Sequence, residues 1–175
     1  MSDPPPRLHE TLLADVLVVG MGNPVRGDDG AGILAARQLK KQLPGVAVVE
    51  VQGDCTSLID LWKTASTVVV IDAVSSCKAP GSIVRIDALT HNLPEAWSLS
   101  STHSFGLREG IELSRALGSL PNRLIVYGIG GAQFATGTGV SPQVKRAVFK
   151  LVDTIIHDIM SMMHSTRAAP GSLIS

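Results

Sequence analysis

Four stretches of the chain are continuous apolar runs. Asp15 to Gly20 (DVLVVG), Val46 to Val51 (VAVVEV), Thr67 to Asp72 (TVVVID) and Leu124 to Ile129 (LIVYGI) are short and rich in β-branched residues. Unbroken runs of this length predict strands buried on both faces, as in a parallel sheet. Ser82 to Ile86 (SIVRI) alternates instead and follows the turn signal Ala79-Pro80-Gly81, which predicts an edge strand. Between these runs the apolar positions recur at helical spacing. Asp28 or Asp29 is placed to cap a helix that continues through Ile33, Leu34, Leu39 and Leu43. A short helix is expected over Ser57 to Thr64. A further helix starts at His103 or Ser104, turns Leu107, Ile111, Leu113 and Leu117 inward, and stops at Gly118. The last one opens at Ser141-Pro142 and buries Val144, Val148, Leu151, Val152, Ile155 and Ile159. Strands alternating with helices predict an α/β fold. The expectation is a single three-layer domain, with a twisted, mostly parallel sheet of about five strands and helices on both faces.

Composition sharpens this picture. Hydrophobic residues make up 45% of the 175 residues but aromatics only 3%, so the core must be aliphatic. Fifteen basic residues balance fifteen acidic ones, which argues against nucleic acid as a partner. Cys55 and Cys77 fit neither a zinc knuckle nor a redox pair and are read as reduced thiols in a cytoplasmic protein. Residues 1–14 are expected to be a flexible segment, proline-rich and polar from Met1 to Glu10, with no secretory signal. Residues 165–175 read as a disordered tail, which leaves 15–164 as the domain. No apolar run is long enough to cross a membrane. With no exposed apolar patch in the pattern, a monomer is the expectation.

In open α/β sheets ligands bind outside the carboxyl ends of the strands. That rim collects Asp28 and Asp29 after the first strand, Asp72 at the end of the third, and His103 in the segment Ser101-Thr102-His103-Ser104. An Asp, Asp, His set suits a first-row divalent ion such as zinc or nickel, and three protein ligands leave a coordination position open. Each residue also has a plainer reading. Asp29 can cap a helix, Asp72 can be solvated at a strand end, and His103 can be structural. Gly20-Met21-Gly22 matches only part of a dinucleotide fingerprint, because Val25 stands where a third glycine belongs. The serines lack a nucleophile elbow, and a pairing of Cys55 or Cys77 with His103 is outweighed by buried thiols. There is no H-E-x-x-H helix; His91, His157 and His164 are expected at the surface, and His9 in the N-terminal segment.

Three blocks together resemble the nickel–iron hydrogenase maturation endopeptidases: VLVVGMGNPVRGDDGAG (Val16 to Gly32), VVVIDAV (Val68 to Val74) and STHSFGL (Ser101 to Leu107). LIVYGIGGAQFATGTGVSP (Leu124 to Pro142) resembles that family's last strand and glycine-rich loop. The resemblance spans roughly residues 15 to 160 and makes 15–164 a hydrogenase maturation protease domain. It implies that Asp29, Asp72 and His103 form the metal-recognising and catalytic site, with Asp28 as structural support. Asp29 stands where relatives often carry glutamate, a longer arm. In Gly53-Asp54-Cys55-Thr56 the acid is displaced by one position and Cys55 replaces a glycine, so no role transfers to that loop. The implied reaction is removal of the C-terminal extension from a hydrogenase large-subunit precursor. Nickel, carried by that precursor and replaceable by another divalent ion in the isolated enzyme, is what the site recognises. The alternatives are a non-catalytic chaperone module that senses the nickel centre and a nucleotide-binding α/β domain. The irregular loop Thr90 to Ser101, with Trp97, is a candidate for partner choice.

Overall fold

The computed structural model describes residues 15–52, 57–75, 79–95, 97 and 106–167. The apolar runs of the sequence become adjacent strands. The sheet comprises β1 (Val16–Met21), β2 (Ala47–Val51), β3 (Thr67–Val74), β4 (Ile83–Asp87) and β5 (Arg123–Gly130), in the order β2-β1-β3-β5-β4. All pairings are parallel except β4 with β5, where the alternating segment takes the edge. The helices are α1 (Ala31–Gln42), α2 (Leu58–Leu61, continuing as a 3-10 turn, Trp62–Thr64), α3 (Leu107–Ala116) and α4 (Pro142–Arg167).

Side chains alternate along each strand, so each strand supplies both cores. Val16, Val18, Val69, Ile71, Ile125 and Tyr127 face α1 and α4. Leu17, Val19, Val68, Val70, Leu124 and Val126 face α2 and α3, where Trp62 and Ile111 fill the layer. The predicted inner positions of α4 are all buried. The buried Tyr127 also donates its hydroxyl hydrogen to Asp158 of α4, and Arg85 of β4 donates to the same carboxylate oxygen at 2.9 Å.

The structure departs from the sequence reading at three helix boundaries. No aspartate caps α1: a 3-10 turn, Gly27–Gly30, precedes it, with no side-chain cap at either start. α3 begins at Leu107 rather than at His103 or Ser104, because Gly106 is extended and its N–H is taken by the Glu109 carboxylate at 3.1 Å. α4 runs to Arg167, past the expected domain end at residue 164. In α3 the inward stripe is Leu107, Gly110, Ile111 and Ser114, and Leu113 and Leu117 are 40% and 63% exposed. The stripe is set by Leu107 and Ile111 at helical spacing, and Ser114 extends it because its hydroxyl accepts the buried Trp62 indole N–H at 3.0 Å. Leu113 and Leu117 lie off that line. Residues 1–14, 53–56, 76–78, 96, 98–105 and 168–175, and with them Cys55, Cys77 and His103, lie outside the described residues.

This register is testable by denaturant unfolding. Ile111→Ala should cost about 2–5 kcal/mol through the cavity it leaves. Leu113→Ala should stay within about 0.5 kcal/mol. Similar losses at both positions would mean that α3 turns a different face to the sheet.

Candidate active site

The chain leaves β1 for β2 on one side of the sheet and then crosses to β3 on the other. The carboxyl ends of β1 and β3 therefore open a crevice at a switch point, the place where doubly wound sheets bind ligands. Glycines let the next elements press into it. A Cβ on Gly32 would lie 2.3 Å from the Ile71 carbonyl oxygen and 2.4 Å from that of Met21. The start of α1 thus sits directly on the ends of β1 and β3. Gly22, at φ +123°, brings the loop so close that a Cβ there would lie 1.8 Å from the Asp29 carbonyl oxygen. These contacts account for Gly22 without a nucleotide, and Gly20 likewise packs against Gly32 and Ala36.

Asp29 lies close enough to Asp72 in this crevice for its charge to act on it. Asp29 is 16% exposed, and one of its oxygens accepts the Asn23 N–H at 3.1 Å and lies 3.8 Å from an Arg26 guanidinium nitrogen. Asp72 lies on β3 opposite Gly128 of β5, partly buried, with the Ala73 N–H donating to it at 2.9 Å. The Trp97 ring packs over Gly128, where a Cβ would lie 2.5 Å from it, and so stands beside Asp72 across the register. Burial pushes the Asp72 carboxyl up to about 7, and the negative charge of Asp29 adds to the rise against the single opposing amide of Ala73. Two carboxylates in mutual repulsion, one of them poorly solvated, favour a shared proton or a bound cation.

Asp28 does different work. Its carboxylate is fully buried and accepts three backbone N–H groups, from Ala132 at 3.0 Å, Gln133 at 3.1 Å and Ser141 at 2.7 Å. Burial alone would raise its pKa, but the amides of Ala132, Ser141 and Gln133 together hold it below the usual carboxylate range. The main chain continues the junction. The Asp28 N–H donates to Gln133 at 2.7 Å, the Gly27 N–H to Thr138 at 2.9 Å, and the Gly137 N–H to Val25 at 2.8 Å. The first loop and the glycine-rich loop are thereby tied into one platform, in line with the supporting role expected of Asp28.

Of the sequence-derived site residues, Asp29 and Asp72 are brought together, and His103 lies outside the described residues. Among the described residues no three His, Cys, Asp or Glu side chains form a metal-binding group. His91 and His157 are exposed, as expected. Sequence reasoning passed over Arg26 and the Asn23 amide. The spacing of three between Arg26 and Asp29 was the available signal for the first; a backbone amide leaves no signal at all.

A family model for hydrogenase maturation proteases matches residues 33–158, well over half of the chain. The chain belongs to the hydrogenase maturation protease family. It is 26% identical over 145 residues to the hydrogenase expression/formation protein HupD of Thiocapsa roseopersicina, a match covering 79% of this chain and 65% of that relative. The NiFe hydrogenase maturation protease HybD from Thermococcus kodakarensis is similar in structure, with TM-score 0.62 and 29% identity over 81% of this chain and 97% of that one. HycI from Thermococcus kodakarensis KOD1, also a NiFe hydrogenase maturation protease, gives TM-score 0.67 and 25% identity over 89% and 99%. Membership makes this maturation protease a peptide hydrolase, and the α/β architecture is the one its relatives share.

Two measurements separate the aspartates. Asp28→Ala should lower stability by at least about 3 kcal/mol, since three buried amides lose a charged acceptor, whereas Asp29→Ala should change it far less. For Asp72 the sign follows from a folded pKa near 7 against the ordinary 3.8. Between those values the folded state holds a proton that the unfolded state has released, so stability falls as pH rises, and the penalty is complete above about 7. In metal-free protein, Asp72→Asn should therefore melt higher than wild type at pH 8, with the gap closing towards pH 4. A gap independent of pH would contradict the buried, repelled carboxyl.

Proposed function

We propose that this protease removes the C-terminal extension of the nickel-loaded large-subunit precursor of a nickel–iron hydrogenase, and that it recognises the precursor's nickel through Asp29, Asp72 and His103. The observation that carries the reading is the convergence of Asp29 and Asp72 at the β1/β3 switch point, with the charge of one raising the pKa of the other. A divalent cation relieves that repulsion more fully than a proton does. The nickel belongs to the substrate, so the two carboxylates repel each other until a proton, another divalent ion or, in the reaction, the loaded precursor relieves them. This makes nickel a checkpoint: precursor without it lacks a major part of the binding energy. His103, in the segment before α3, supplies the nitrogen donor of the set.

Two roles for the site in breaking the peptide bond are compatible with these residues. In one, Asp29 or Asp72 is a general base beside a metal-polarised carbonyl. In the other, the metal is an anchor that places the bond. The protease works in the cytoplasm as a monomer on this reading, and no helix among the described residues is long and apolar enough to cross a membrane.

The test is cleavage of nickel-loaded precursor, followed by mass spectrometry of the released peptide. One discrete cut is expected, dependent on nickel and reduced at least about 100-fold in Asp29→Ala, Asp72→Ala and His103→Ala. Because protons compete for Asp72, affinity for the loaded precursor should rise with pH up to about 7 and then level. Tight binding without any cut would instead make the protein a chaperone that senses the nickel centre, and cleavage of nickel-free precursor at the same rate would refute the checkpoint.

A further inference from the structure

Seven large apolar side chains are exposed among the described residues, and a lone one is ordinary on any surface. Val25 differs from the other six in where it sits and how it is held. It is 57% exposed at the apex of the turn that surrounds the Asp29 carboxylate, between the Asn23 amide and the Arg26 guanidinium that both reach that group. The turn is not free to fold Val25 away. Its N–H donates to the Asn23 side-chain oxygen at 3.1 Å, and its carbonyl accepts the Gly137 N–H at 2.8 Å. Arg26 beside it bridges to Thr138, and Gly27 is fixed by the Thr138 carbonyl. Behind the turn stands the Asp28 junction with the glycine-rich loop.

The surface next to Val25 is open. Ala135, Thr136 and Gly137 are exposed, and a Cβ added at Gly137 or Gly139 would have nothing within 4 Å among the described residues. A hydrogen-bonded turn therefore displays one apolar side chain beside open backbone, next to the charged pair. An apolar contact of this kind adds binding energy by removing area from water and needs no rearrangement, because the turn is already ordered.

We propose that Val25 and the adjoining tip of the glycine-rich loop form the lip on which the large-subunit precursor docks, with Val25 seated against an apolar side chain near the precursor's nickel centre. This rests on the proposed function and specifies its partner surface. The carboxylates select the metal, and the lip selects the protein that carries it.

Binding and cutting are measured separately on the full chain. Biolayer interferometry gives Kd for nickel-loaded precursor, and peptide release gives KM and kcat. Val25→Ser adds no charge beside Asp29 and is compared with Val25→Leu and with Leu117→Ser, a control at the 63% exposed position just after α3. The expected result is a Kd and KM raised about tenfold for Val25→Ser, equal to about 1.4 kcal/mol. The kcat and melting temperature should hold, Val25→Leu should bind like wild type, and Leu117→Ser should be unaffected. An unchanged Kd for Val25→Ser, or an equal loss for Leu117→Ser, overturns the lip. Wild type that binds precursor through Val25 but never cuts it leaves the lip standing and removes only the protease reading.

Discussion

The Asp28 carboxylate is the constraint on which the site depends. A buried anion is costly unless its lone pairs are filled, and here the donors are the amides of Ala132, Gln133 and Ser141. Those donors lie more than a hundred residues along the chain, so filling the lone pairs welds the loop after β1 to the loop after β5. With that junction formed, the turn bearing Asn23, Val25 and Arg26 has a fixed floor, and Asp29 leaves the next position in a single direction. Adjacent aspartates thus differ: Asp28 ties the two loops together, and Asp29 faces Asp72.

The second element of the design is repulsion. Asp72 lies on a strand whose neighbouring position is Gly128, and the Trp97 ring occupies the space a side chain there would have taken. Its carboxyl is poorly solvated and faces the charge of Asp29. Stable proteins seldom keep such pairings, and this one sits at a switch point, at some cost to the folded state. The surrounding aliphatic sheet bears that cost. Its central strands are buried on both faces, and α1 is pressed onto their ends at Gly32.

Rigidity and function meet at the same place. The first loop and the glycine-rich loop are irregular in outline, yet their main-chain groups are bonded to each other at Gly27, Asp28 and Gly137. Ordered loops on a rigid scaffold bind without a prior ordering cost.

What the sequence determined by itself was local. Runs such as TVVVID and DVLVVG read as buried strands and are strands, the spacing in α4 fixes its inner face, and SIVRI reads correctly as the edge. The blocks around Asp29, Asp72 and His103 were also legible, since a motif is a local pattern. The tertiary structure decided what depends on distant partners. By spacing Asp28 and Asp29 looked alike as helix caps; the resemblance implied support from Asp28, and the three amides of the far loop show its form, a latch between loops. The inner face of α3 was misread at Leu113 and Leu117 because its apolar residues exceed what one stripe can hold, and the choice fell to the Trp62 indole seeking the Ser114 hydroxyl. The raised pKa of Asp72 was equally invisible along the chain. It arises from burial and from a charge forty-three positions earlier in sequence, and Coulomb's law reads separation in space.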